Sequence, residues 1–495
     1  MSERNGLRYG LLGLGLLILL ALLALVINRP TNSQTATPAP AAESTSIESL
    51  AALGDQAPSR RDLNIQTWQT AEGAKVLFVE ARELPMFDLQ LTFAAGSSHD
   101  DGVPGLAMLT NAMLNEGVPG KDVGAIAAGF ENLGANFGNG AFRDMAIASL
   151  RSLSAAEQRE PALQLFNQVL GQPTFPEDSL ARIKNQLLAG FEYQKQNPAK
   201  LAGLALFERL YGNHPYAHSS DGNAESIPAI SREQLQAFHA KAYSANNAII
   251  ALVGDLSRSD AEALANQVSA ALPKGPALPR IAQPEEPKAG LQHIEFPSNQ
   301  THLMIAQLGI DRRDPDYAAL YLGNQVFGGG GFGTRLMTEV REKRGLTYGV
   351  YSGFTAMQAR GPFMINLQTR AELSDGTLQL VKSMLADFIK NGPTEQELDN
   401  AKRELAGSFP LSTASNAAIV GQLGSMGFYN LPLSYLEDFM RDVQALSVEQ
   451  VKAAMAKHLD PQALVIVTAG PTVAQKELPP PTDNPAEQPS AIPEH

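Results

Sequence analysis

The stretch GLAMLTNAMLNEG, Gly105–Gly117, has the outline of a helix that holds a hydrolytic zinc ion. Such a helix needs two imidazoles four residues apart, so that both face one ion, with a glutamate beside them as base. Here that pair is Met108 and Ala112, and Asn111 stands at the base position. A thioether is a poor zinc ligand, a methyl group is none, and an amide takes up no proton. The stretch therefore reads as a packed helix.

Other candidate chemistry is sparse. The one histidine pair at that spacing, His214 and His218 in HPYAH, has Pro215 inside it and no carboxylate between, so it reads as a surface loop. The remaining histidines are scattered, and no Gly-x-Ser-x-Gly nucleophile motif occurs. FGGGGFGTRL satisfies Gly-x-Gly-x-x-Gly at Gly328, Gly330 and Gly333, but helical spacing precedes it and no phosphate-binding lysine follows. A Gly loop joining two helices, able to touch a ligand with its backbone, is expected there.

TRLMTEVREKRGLTYGVYSGF is richer. Leu336, Met337 and Val340 form the apolar stripe of a short helix, Arg341 borders it, and Gly345 ends it. LTYGVYSG then alternates as a strand, with Leu346, Tyr348 and Val350 on one side. An Arg at a helix end and a Tyr in the next strand can converge to donate hydrogen bonds to a carbonyl or an oxyanion. Without further context, a surface Arg and a core Tyr explain these residues equally well.

The elements that must position these groups come from a chain of 495 residues, too long for one core. A formal charge of −13 argues against nucleic-acid binding. The absence of cysteine excludes disulfides, thiolate chemistry and Cys-ligated zinc. An apolar run, Leu11–Ile27, follows Arg4 and Arg8. It spans roughly 25 Å as a helix, which suits an uncleaved anchor with the body outside the cytoplasm. Release into the periplasm after cleavage is the alternative.

The remainder is made twice. FPEDSLARIKNQLLAGF (Phe175–Phe191) aligns with PTEQELDNAKRELAGSF (Pro393–Phe409), setting Leu180 on Leu398 and Lys184 on Lys402. SREQLQAFHAKAYSANNAIIALVG (Ser231–Gly254) aligns with SVEQVKAAMAKHLDPQALVIVTAG (Ser447–Gly470). Each copy predicts a capped amphipathic helix followed by a buried strand ending at Gly. The expected fold is α+β, two homologous domains of a largely antiparallel sheet packed with helices, plus the N-terminal membrane segment. The expected divisions are an anchor at 1–28, a Pro/Ala/Thr-rich linker at 29–61, one domain at 62–273, a linker at 274–290, a second domain at 291–473 and a disordered Pro-rich tail at 474–495.

From about Asn64 to Gly470 the chain resembles the M16 metallopeptidases, the inverted-zincin group that includes mitochondrial processing peptidase, pitrilysin and insulin-degrading enzyme. The resemblance rests on the opening helix, ENLGANF, HPYAH and above all REKRGLTYGVYSGF. It implies that Met108 and Ala112 replace the two zinc histidines and Asn111 the catalytic glutamate. Gly190 falls on the third ligand and Ile183 on a second helical glutamate, with Glu192 out of register. No metal is thus expected on this chain. The resemblance also implies that Arg341 and Tyr348 are the pair with which the family holds substrate and steadies the tetrahedral intermediate, and that Gly328, Gly329, Gly330, Gly331 and Gly333 form a substrate-handling loop. In two-subunit members one chain carries zinc and the other this pair. The implied function is a zinc-free subunit acting on peptides with a zinc-bearing homologue, at a bacterial inner membrane with its body in the periplasm. The alternative is an M16-like scaffold without a part in hydrolysis.

Overall fold

The computed structural model describes residues 63–482. The expected anchor at 1–28, the linker at 29–61 and residues 483–495 lie outside the described residues. Among the described residues no helix is long and apolar enough to cross a membrane.

Eight strands fall in the first half: β1 Gln66–Gln69, β2 Lys75–Glu80, β3 Met86–Phe93, β4 Gly117–Val118, β5 Lys121–Asp122, β6 Asn136–Ala141, β7 Ala146–Leu153 and β8 Ala248–Gly254. Five fall in the second: β9 Gly290–Glu295, β10 Gln300–Leu308, β11 Val350–Phe354, β12 Pro362–Arg370 and β13 Val465–Gly470. β4 and β5 form a small separate hairpin. The large sheets run β1-β2-β8-β3-β7-β6 and β9-β13-β10-β12-β11. Apart from the extra β1 they have one topology. In each, the last strand of the half enters the centre parallel to the first and antiparallel to the second (β8 on β2 and β3, β13 on β9 and β10). These are two α+β domains, as the duplicated pattern predicts.

The repeated residues explain why the copies fold alike. Leu180 and Leu398 are both buried. The ammonium of Lys184 bonds to the carbonyls of Pro228 and Ile230, and that of Lys402 to those of Gln444, at 3.1 Å, and Leu446, at 2.6 Å. Each lysine thus satisfies backbone oxygens just before a helix whose own start is a capping box, Ser231 with Gln234 and Ser447 with Gln450.

The central strands are covered on both faces, which is why they read as continuous apolar runs. In β8, Ile250 and Leu252 face the helices of their own half, while Ala251 and Val253 pack with Ile419, Leu423 and Met426. Those three lie on the helix Asn416–Phe428, which belongs to the second half of the chain. The exchange is reciprocal. In β13, Val465, Val467 and Ala469 pack on Ala202, Leu206 and Leu210 of the first-half helix Pro198–Tyr211. Two glycines allow the close approach of Asn416–Phe428. A Cβ on Gly424 would stand 2.3 Å from Gln90 Nε2, and one on Gly427 2.3 Å from Ile249 Cγ2.

A buried polar knot ties the halves. Asp144, in the β6–β7 turn, accepts from the hydroxyl of Tyr216, from the Gln358 N–H at 2.6 Å and from the Tyr429 hydroxyl at 3.2 Å. Tyr216 is fully buried and its oxygen accepts from the Ala359 N–H at 3.2 Å. HPYAH is therefore a turn rather than a free surface loop: its tyrosine is a plug between domains. The proline-rich crossing is extended but pinned, with Ile281 N–H on Gln358 Oε1 and Arg360 N–H on Gln283 Oε1. The tail expected to be disordered from 474 is bound as far as Thr482. Lys476 N–H donates to Glu372 O, Leu478 packs over Gly376, and Thr482 N–H donates to Lys343 O. Composition hid this because prolines satisfy the sequence signature of disorder equally well when they pack against a surface.

Candidate functional site

The helix Leu106–Ala112 starts from Gly105, whose φ of 92° only glycine adopts readily. Asp100 caps it, its carboxylate accepting from the N–H of Gly105 at 2.8 Å and of Ala107 at 2.7 Å. Met108 packs against the first-domain core and Ala112 is half-buried. Asn111, at the base position, is buried. Its side-chain amide donates to the Tyr243 hydroxyl at 3.1 Å and to Ile147 O at 3.3 Å, and its main-chain carbonyl accepts from the Asn139 side chain of β6 at 2.7 Å. Tyr243 is fully buried, and burial raises its phenol well above the ordinary range. Asn111 is therefore a structural tie among helix, sheet and edge strand, a role no spacing rule reveals.

On the helix Glu177–Gln194, Gly190 is exposed with open space where a side chain would begin, while Ile183 is in the core. Glu192 is exposed and pairs with Lys195 at 2.6 Å. Met108, Ala112 and Gly190 together offer no imidazole and no carboxylate, so these residues do not fit a zinc ion. His214 is committed as well, with Nε2 against Ala282 O at 2.8 Å and Nδ1 accepting from Tyr216 N–H at 3.1 Å.

His458, one of the scattered histidines, converges with Asp314 and Asp316. His458 Nε2 lies 2.8 Å and Lys457 Nζ 2.6 Å from Asp316 Oδ2. The Lys457 hydrogen bond is the largest influence holding the Asp316 carboxyl below its ordinary range. With an ammonium already on the shared oxygen, the cluster is an ion-pair latch between the helices Val448–His458 and Tyr317–Asn324.

Arg341 and Tyr348 are brought together, by a different route from the expected one. Met337–Glu342 forms a wide π-helical turn, closed by Gly345 at φ 58° with its N–H on Arg341 O. Tyr348 is not on the Leu346 and Val350 side of a strand. β11 begins only at Val350, Leu346 and Val350 are buried, and Tyr348 is 81% exposed. Thr347 is the cause: its hydroxyl donates to Gly349 O at 2.8 Å and accepts from Gly349 N–H at 3.2 Å, a tight bend that breaks the alternation. The bend swings Tyr348 outward against Arg341, whose guanidinium carbon sits 5.0 Å from the Tyr348 ring centre and 4.8 Å from that of Phe332. Phe332 is itself 72% exposed. Two rings thus flank a cation for which no carboxylate of the described residues lies within ion-pair distance, and its edge N–H groups remain free to donate. No hydrogen bond or ion pair among the described residues links this pair to Met108, Asn111 or Ala112.

The glycines between serve packing and turns. A Cβ on Gly328 would meet Ser352 Oγ at 2.5 Å, and one on Gly329 would meet Asn324 Nδ2 at 2.3 Å. Gly330 follows the turn Gln325–Gly329, and Gly331 and Gly333 hold φ of 81° and 84° in open space. Past the loop, Arg335 clamps it with two 2.7 Å bonds to the Glu397 carboxylate and one of 3.0 Å to Gly392 O. The Arg335 hydrogen bond, opposed by burial and helped by Thr394, holds Glu397 down to about 2 against 4.5. The stabilisation is thus complete above pH 4.5 and is lost as pH falls toward 2. The pair is partly solvated, so its worth is about 1 kcal/mol. Urea unfolding at pH 6 and pH 3 is expected to show a fall larger by about that amount in the wild type than in Glu397→Gln.

The fold and the residues present at each position agree with the comparisons. Residues 75–222 match "Insulinase (Peptidase family M16)" and residues 229–405 match "Peptidase M16 inactive domain". A "non-peptidase homolog YmxG" of Helicobacter pylori is 29% identical over 404 residues, 80% of this chain and 91% of that protein. An "uncharacterized zinc protease YmxG" of Bacillus subtilis is 22% identical, over 82% of this chain and 98% of that one. A crystal structure of a peptidase M16 inactive domain from Pseudomonas fluorescens is 77% identical, with a TM-score of 0.83, covering 84% of this chain and all of that one. The chain belongs to the M16 peptidase family, on the side of its members that lack the zinc-binding residues.

Proposed function

We propose that this protein is the zinc-free subunit of a two-chain M16 peptidase, lending Arg341 and Tyr348 to a site completed by a zinc-bearing homologue. The observation that carries this reading is the Arg341 sandwich. A cation flanked by two exposed rings, with no carboxylate of the described residues in ion-pair distance, leaves donors where a peptide carbonyl can meet them. The zinc of the partner supplies the hydrolytic chemistry. Arg341 holds the substrate, and the Tyr348 hydroxyl donates to the oxygen on which charge develops. The outer edge of β6, beside the helix Leu106–Ala112, ends its sheet and offers backbone groups to an extended peptide.

The Gly-rich loop, Gly328–Gly333, carries Phe332 and so sets one wall of the cation's slot. Leu11–Ile27 is proposed as the anchor that keeps the complex at the bacterial inner membrane, with the body in the periplasm. A scaffold role is the second reading, favoured by the structural commitment of Asn111 and the description of the Helicobacter pylori relative as a non-peptidase. Sedimentation of the full-length protein with the zinc-bearing M16 homologue of the same organism is expected to give one heterodimeric species; two independent species at micromolar concentration would overturn the shared site.

A further inference from the structure

A cavity of about 610 Å³ opens between the two halves, in the size range of small-ligand pockets. Its walls are mainly apolar, with Met145, Ile147, Phe207 and Met357 among them, and Phe142 stands at it 54% exposed. Arg143 lines the same space. Its guanidinium carbon lies 4.1 Å over the Phe207 ring, and Nη1 donates to His218 O at 2.8 Å. No carboxylate of the described residues comes within ion-pair distance of it. Asp144 is adjacent, but its oxygens are already taken by Tyr216, Gln358 and Tyr429. Burial pulls the guanidinium below its usual range, against the longer-range attraction of Asp144 and Asp221, neither of which is in ion-pair distance.

The helix Asn416–Phe428 supplies an independent observation. Glycine recurs there every third residue, at Gly421, Gly424 and Gly427. The latter two are needed because side chains would strike the sheet. Gly421 is not: a Cβ there meets nothing within 4 Å and projects into open space at the cavity wall. A glycine inside a helix is destabilising relative to alanine. Packing within the protein gives no reason for it, whereas keeping the cavity open does.

We propose that this cavity binds an apolar chain ending in a carboxylate, the chain lying against Phe142, Met145 and Phe207 beside Gly421 and the carboxylate pairing with Arg143. Such a group is offered by a fatty acid or by the free C-terminus of a peptide with an apolar last residue. The site is separate from Arg341 and Tyr348 and does not depend on a catalytic partner.

Titration calorimetry on the full-length protein tests it, using octanoate, octan-1-ol, and one leucine-ending peptide in free-acid and amidated forms. Octanoate is expected to saturate one site at least tenfold more tightly than the alcohol. Gly421→Leu, which fills the space and favours the helix, removes that binding without lowering the melting temperature. Arg143→Met reduces octanoate to the level of the alcohol, and Arg143→Lys retains part of the preference. Binding of the free-acid peptide alone identifies the source as a peptide terminus, and binding of octanoate alone identifies a fatty acid. No saturable binding of either, equal binding of octanoate and octanol, or binding unchanged in Gly421→Leu overturns the proposal.

Discussion

Arg341→Ala lowers the peptidase rate of the two-chain complex by about 10²–10³-fold, and Tyr348→Phe by a comparable factor, while the complex still sediments as one species. The size follows from the cost of removing a donor aimed at developing charge, roughly 2.7–4 kcal/mol in the barrier. The two substitutions separate the roles. Loss of Tyr348's hydroxyl removes only a donor used in the transition state, so kcat falls with little change in KM. Loss of Arg341 removes ground-state binding too and raises KM. Tyr348 is 81% exposed, and Arg341 makes no ion pair among the described residues, so neither change should disturb the fold. Phe332→Ala, which takes away one wall of the slot, belongs between wild type and Arg341→Ala. Steady-state kinetics of the purified complex check all three.

Asp144→Ala destabilises the protein by about 3–5 kcal/mol. The carboxylate is buried, and three donors converge on it: two tyrosine hydroxyls and the Gln358 N–H. The donors come from the Tyr216 turn, from the segment after β11 and from the end of the helix Asn416–Phe428, so its removal orphans groups in both halves. Asn keeps one acceptor and presents an N–H₂ to groups that donate, so Asp144→Asn should cost about 1–3 kcal/mol. Tyr216→Phe should cost less than Asp144→Ala, because Gln358 and Tyr429 still satisfy the carboxylate. Equilibrium denaturation with fluorescence and circular dichroism measures these. The knot spans the domains, so the loss should be accompanied by non-coincident unfolding of the halves.

Much of this fold is legible in the sequence because it is written twice. The alignment of Lys184 with Lys402 predicts no contact by itself, yet both lysines do the same work on equivalent carbonyls. The capping boxes at Ser231 and Ser447, and the apolar runs of β8 and β13, follow from local chemistry alone. Missing zinc ligands are equally legible, since residue types decide donor chemistry without coordinates. What escapes is long-range. The exchange of helices between sheets leaves no local trace, because a helix that packs on a partner's sheet has the same apolar stripe as one that packs on its own. Asp144 and Tyr216 are separated by 72 positions and look like ordinary turn residues. Alternation of Leu346, Tyr348 and Val350 suits a strand, and the Thr347 bend that turns Tyr348 out of it depends on the two hydrogen bonds of one hydroxyl. Phe332, which completes the Arg341 slot, sits inside a Gly-rich loop, and an aromatic side chain among glycines is its local signal in the sequence.

The most direct measurement is hydrolysis of a mixed peptide library by the full-length protein alone, by the zinc-bearing homologue alone, and by the two together. The shared-site account predicts cleavage only in the mixture, abolished by a chelator and reduced at least a hundredfold when this chain carries Arg341→Ala. Cleavage by the mixture that is indifferent to Arg341→Ala and Tyr348→Phe, or no cleavage by a heterodimer that has formed, would contradict it and leave this chain as a scaffold.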